Sequence, residues 1–92
     1  MIRVFVVYEA EPDPERYAAH AELCRRVPGS SFRHGKVVRT LHGQPEYRYY
    51  AEFEFPDMES FQAVARSDEM VATGKDAAEM GIAHAVYLAE VA

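Results

Sequence analysis

Tyr47-Arg48-Tyr49-Tyr50-Ala51-Glu52-Phe53-Glu54-Phe55 reads as a β-strand with two unlike faces. Tyr47, Tyr49, Ala51, Phe53 and Phe55 fall on one side of a period of two, and Arg48, Tyr50, Glu52 and Glu54 on the other. The first side suits a core. The second is too polar for a core and too aromatic for open water. Pro56-Asp57 closes the strand, and Asp57 is placed to cap a helix whose apolar side is Phe61, Val64 and Ala65. Ser67-Asp68-Glu69 then looks like a fresh cap, restarting helix through Met70, Val71 and Ala78 until Gly81.

Upstream, Ile2 to Tyr8 has the length and β-branching of a strand buried on both faces. Glu11-Pro12-Asp13-Pro14-Glu15 turns the chain into a helix, with Asp13 as cap, Pro14 in the first position and Glu15 at the positive end of the dipole. Tyr17, His20, Ala21, Cys24 and Val27 recur at helical spacing and form one stripe, and Pro28-Gly29 ends the helix. Ser31 to Leu41 reads as the second strand, His42-Gly43-Gln44-Pro45 as a turn, and Ile82 to Val91 as the last strand. The order is β-α-β-β-α-β over a single domain, residues 1–92, with each half reading strand, helix, strand. That is the α+β, ferredoxin-like pattern: a four-stranded antiparallel sheet with both helices on one face. Its uncovered face is best closed by a second copy, giving a dimeric α/β barrel.

Composition narrows the function classes. Apolar residues make up 49% of the chain, with six Tyr and five Phe, a surplus for one small sheet. The net charge of −5 and the scattered arginines lack the basic cluster that phosphate neutralisation requires, which argues against nucleic acid. A single cysteine excludes an internal disulfide. Met1 leads straight into the first strand, so the expectation is a cytoplasmic protein with no membrane segment. No Gly-rich phosphate loop, nucleophile elbow, dinucleotide fingerprint or metal-spaced histidine pair is present, and neither cofactor nor metal is expected.

Among chemistry-bearing residues, His20 stands out because it lies in the apolar stripe facing the sheet. A histidine drawn partly out of water keeps a neutral ring near pH 7, which suits a general base. The opposing reading is a histidine with both nitrogens satisfied by protein. Tyr17 lies one turn earlier on the stripe, and Tyr8 and Tyr50 offer rings with hydroxyls to an aromatic ligand. His34 and His84 sit on strands where they can face a cavity or a dimer seam, whereas His42 belongs to a solvent-exposed turn. Arg33, Arg39 and Arg48 are explained by cross-strand pairing with Glu52 or Glu54 as well as by a carboxylate clamp. Cys24, on the core side of a helix, reads as a small inert hydrophobe.

Several stretches together resemble the EthD family over essentially the whole chain. They are Asp13-Pro14-Glu15-Arg16-Tyr17, a helix histidine, Val27-Pro28-Gly29, Ala51 to Phe55 followed by Asp57-Met58-Glu59-Ser60-Phe61, and Ala65 to Glu69. The resemblance implies the dimeric α/β-barrel superfamily, whose members include lactone isomerases, polyketide dehydratases and decarboxylases, and cofactor-free monooxygenases. EthD-like first helices carry a His-Tyr pair and then a second His before the Pro-Gly stop; here one histidine remains. Anchored on Pro28-Gly29, His20 matches the second family histidine; anchored on Asp13-Pro14, it matches the first. The expectation is a cofactor-free isomerase, dehydratase or decarboxylase acting on an aromatic or polyketide-like molecule. His20 and Tyr17 would be catalytic, and Tyr8, His34, Tyr50 and His84 would hold the ligand. The alternatives are a non-catalytic binding or accessory protein, and a cofactor-free monooxygenase.

Overall fold

Alternation organises the sheet. In the computed structural model, which describes residues 1–92, β1 (Ile2–Tyr8) buries every second side chain, and its partner β3 (Tyr49–Phe55) does the same. The two run antiparallel, with Val4 opposite Phe53 and Val6 opposite Ala51. β2 (Ser31–Lys36) flanks β3, and β4 (His84–Glu90) flanks β1, giving the antiparallel order β2-β3-β1-β4. Helix α1 (Pro14–Arg25) connects β1 to β2. Two helices, α2 (Met58–Val64) and α3 (Asp68–Met80), connect β3 to β4. No helix is long and apolar enough to cross a membrane.

The capping chemistry explains where the helices begin. The Asp13 carboxylate accepts from the Arg16 backbone N–H at 2.9 Å, Asp57 from Ser60 at 2.8 Å, and the Ser67 hydroxyl from Met70 at 3.2 Å. Gly81 ends α3 at φ 70°, a conformation in which a side chain would be strained. The whole predicted stripe of α1 is buried: Tyr17, His20, Ala21, Cys24 and, just past the helix, Val27. Ile2, Val4, Phe53 and Phe55 meet Cys24 and Val27 in one cluster, with the Phe55 and Phe61 rings 5.4 Å apart.

Three strands differ from expectation at their ends, and β4 spans His84–Glu90 rather than Ile82–Val91. β2 stops at Lys36 rather than Leu41, and β3 begins at Tyr49 rather than Tyr47. One further ladder bond, Val37 N–H to the Arg48 carbonyl, extends the pair before the strands separate. Beyond it nothing covers the apolar side chains, and Val38 and Leu41 are 90% and 86% exposed. Residues 37–48 are therefore a long connection rather than strand. β1 is also covered on one face only, since Arg3, Phe5 and Val7 remain half-buried on the side away from the helices.

That outer face carries a closed set of charges. Arg3 pairs with Glu52 and Glu54, and Arg33 pairs with the same two carboxylates. Cross-strand pairing thus accounts for Arg33. Tyr50 lies on this face too, its ring over Gly35, where any Cβ would stand 2.9 Å from the ring. The glycine makes room for the aromatic.

Candidate functional site

Helix α1 supplies the first wall of a cleft. The stripe spacing turns Tyr17, His20 and Cys24 toward the sheet, where Val4, Val6 and Tyr8 of β1 face them. Met70, Thr73, Gly74 and Ala77 recur at helical spacing on α3 and supply the second wall. The enclosed volume is about 230 Å³, and the lining is mostly apolar. The cleft opens along β4, where His84 and Val86 line it and Val86 is still 58% exposed. A dry cavity of about 150 Å³ accommodates benzene, so this cleft has the size of a single ring with a short substituent.

His20, only 3% exposed, is the polar centre of the cleft. Its Nδ1 lies 2.8 Å from Oδ2 of Asp76 on α3. Asp76 is gripped from its other side by Arg16, whose two terminal nitrogens reach Oδ1 at 2.8 Å and Oδ2 at 3.0 Å. The Arg16 guanidinium holds the Asp76 carboxyl below the usual carboxylate range, and the bond with His20 adds to that effect. An ionised carboxylate only accepts, so His20 Nδ1 must be the donor. In the neutral ring, Nε2 then carries the free lone pair.

That lone pair meets the Cys24 sulfur at 3.4 Å. Burial pushes the Cys24 thiol up to about 12, with the nearby Asp76 charge contributing in the same direction. The sulfur therefore keeps its proton and offers it to Nε2 as a weak donor. Both nitrogens of His20 have protein partners, as a structural histidine would, but they are unequal. Nδ1 is anchored by a carboxylate, whereas Nε2 meets only a weak thiol donor.

Tyrosines close the inner end. The Tyr8 and Tyr17 hydroxyls share a hydrogen bond of 2.9 Å. Burial raises the pKa of both above the ordinary phenol value, so both stay protonated. Tyr17 stands among four rings, with centroids 5.1 Å from His20, 4.9 Å from His34, 5.0 Å from Tyr49 and 5.7 Å from Tyr8.

The structure brings Tyr8, Tyr17, His20 and His84 together around the cleft. His84 sits at the mouth, its Nδ1 donating to the Ile82 carbonyl at 2.7 Å. His34 falls behind the Tyr17 ring, bonded to the Tyr49 hydroxyl at 2.6 Å, and burial lowers its proton affinity. It touches the wall of the cleft without lining it. Tyr50, expected at the ligand, is on the opposite face because strand alternation points it away. His42 is exposed, as its turn context indicated. No three metal-ligating side chains gather anywhere in the chain.

Asp76 is the member of the His20 cluster that the sequence did not single out. It lies beside the apolar stripe of α3, like any solvated helix acid, and its partners are 56 and 60 positions away in the chain.

No protein-family model matches the chain, and no curated protein matches it. Solved structures do. An ethyl tert-butyl ether D (EthD) family protein from Bacillus halodurans superposes on 100% of this chain and 99% of its own, with TM-score 0.81 and 26% identity. A dimeric ferredoxin-like protein of unknown function from a Jannaschia species matches 98% of both chains, with TM-score 0.74 and 21% identity. SnoaB, a cofactor-independent oxygenase from Streptomyces nogalater, shares the fold over 98% of this chain and 91% of its own, with TM-score 0.64 and 14% identity. The ferredoxin-like architecture and the likeness to an EthD family protein, both expected from the residues, are thereby established.

Proposed function

We propose that this EthD-like chain is a small proton-transfer enzyme of the isomerase, dehydratase or decarboxylase type. Its substrate would be an uncharged, oxygenated single-ring molecule, and it would act without a resident cofactor. The observation that carries the reading is the Asp76–His20 pair at the edge of an apolar cleft. The carboxylate fixes Nδ1 as the protonated nitrogen, leaving Nε2 to remove an acidic proton from a bound enol, phenol or activated carbon. Asp76 also stabilises the imidazolium that results, and the same proton can then be returned to another atom of the ligand. No cation lines the cleft, which argues for a neutral substrate rather than a carboxylate.

The test is solvent deuterium exchange at the α-carbon of small cyclic ketones such as cyclohexanone, followed by NMR. Wild-type protein is expected to accelerate exchange, and His20→Ala to lose about 10²–10⁴ of that acceleration while still binding the ring. Equal rates for the two proteins would remove the base. Binding without exchange would instead favour the accessory-protein reading. Dioxygen consumption would favour chemistry like that named for the Streptomyces protein.

We further propose that the working unit is a homodimer closed through the outer sheet face. Phe5, Tyr50 and Tyr87 are incompletely covered there, and Arg3, Arg33, Glu52 and Glu54 neutralise one another within the protomer, so the face can be dried at little electrostatic cost. The Jannaschia protein is described as dimeric, which fits. Sedimentation at micromolar concentration should give twice the protomer mass of 10.4 kDa; a single 10.4 kDa species would remove the barrel.

A further inference from the structure

Gly74 lies in the interior of α3, where glycine weakens a helix relative to alanine. Its backbone gives no reason for the choice, since it does not take the left-handed conformation adopted by Gly81. Nor does crowding, since a Cβ built on Gly74 meets no atom within 4 Å. This contrasts with Gly35, where Tyr50 leaves no room. What sets Gly74 apart is its place. It stands on the cleft-lining stripe of α3, between Met70 and Ala77, two residues before the Asp76 that holds His20.

We infer that Gly74 is a specificity-determining position: its missing side chain is the notch that admits the substituent of a ring whose oxygen faces His20. This rests on the cleft being the ligand site. Gly74 lines the cleft at its exposed side and the space beside its Cα is empty, so a side chain added there extends that wall. An unsubstituted ring needs none of that space. A ring extended by two carbons opposite its hydroxyl does.

The experiment uses the full chain with phenol and 4-ethylphenol as probes, read by calorimetry, and Gly74→Ala and Gly74→Leu as variants. Both replacements are good helix formers. Gly74→Ala is expected to raise Tm by about 2–8 °C in the absence of ligand. It should keep phenol affinity and weaken 4-ethylphenol by about tenfold or more, since one methylene in an apolar pocket is worth about 10–200-fold. Gly74→Leu should lose both probes while staying folded. A fall in Tm for Gly74→Ala would mean that the added methyl meets a wall, and would overturn the notch. So would 4-ethylphenol binding equally to all three proteins. If wild-type protein binds neither phenol, the cleft reading itself fails, and the size selection falls with it.

Discussion

Replacing Asp76 by Asn is expected to slow proton transfer at His20 by about 10²–10⁴ while leaving the fold intact. The reason is a shortage of acceptors. In the native pair two carboxylate oxygens serve the His20 Nδ1 proton and two Arg16 nitrogens. An amide offers one oxygen and one NH₂. Arg16 is a permanent cation and can only donate, so it takes the oxygen. The NH₂ is then turned toward Nδ1, which must become an acceptor, and the ring proton moves to Nε2. On the proposed mechanism Nε2 then lacks the lone pair that a base requires. The measurement is the exchange rate of the cyclic ketone probe in Asp76→Asn and Asp76→Glu, with ligand affinity measured alongside. A rate loss with unchanged affinity identifies Asp76 as the residue that positions His20. Equal rates in Asp76→Asn and wild type would show that the tautomer is set by something else.

Tyr17→Ala is expected to destabilise the protomer by about 3–5 kcal/mol, the range for deleting a buried aromatic. Domains of this size have about 5–15 kcal/mol in total, so this is a large fraction. Tyr17 is almost wholly inaccessible, and four aromatic neighbours lean on its ring. Removing it opens a void between the His20 cleft and the His34–Tyr49 pair that neither side can collapse to fill. Tyr17→Phe separates the ring from its hydroxyl: the packing survives, but the buried Tyr8 hydroxyl loses its partner, at about 1–3 kcal/mol. Urea unfolding should therefore show a large fall in midpoint for the alanine variant, a smaller one for the phenylalanine variant, and little change in slope. Equal falls for the two would contradict a ring that supports both sides.

Strand parity and helix caps were legible because they are local. The alternation from Tyr49 to Phe55, the stripe from Tyr17 to Val27, and the caps Asp13, Asp57 and Ser67 all act within a few residues. The end of β2 was not legible, because Val38 to Leu41 continues the strand's sequence and what it lacks is a partner. Tyr50 illustrates a subtler limit. Its parity was visible in the sequence, yet which face of the sheet the helices cover becomes a side-chain fact only once the register is known. Asp76 was invisible for the plainest reason: nothing near it in the chain distinguishes it from Glu79 or Asp68, and its role comes wholly from Arg16 and His20.

The bond from Arg16 to Asp76 also has a meaning for the order in which the molecule comes into being. It spans 60 positions and ties the first strand–helix–strand half to the second. A growing chain that has formed β1, α1 and β2 already holds His20, Cys24 and Tyr17 on a helix, but nothing yet orients the imidazole. Closing so long a loop costs entropy, which the pairing of β3 and β4 with β1 and the docking of α3 on α1 repay. The Arg16–Asp76–His20 arrangement is therefore a property of the closed fold and absent from either half.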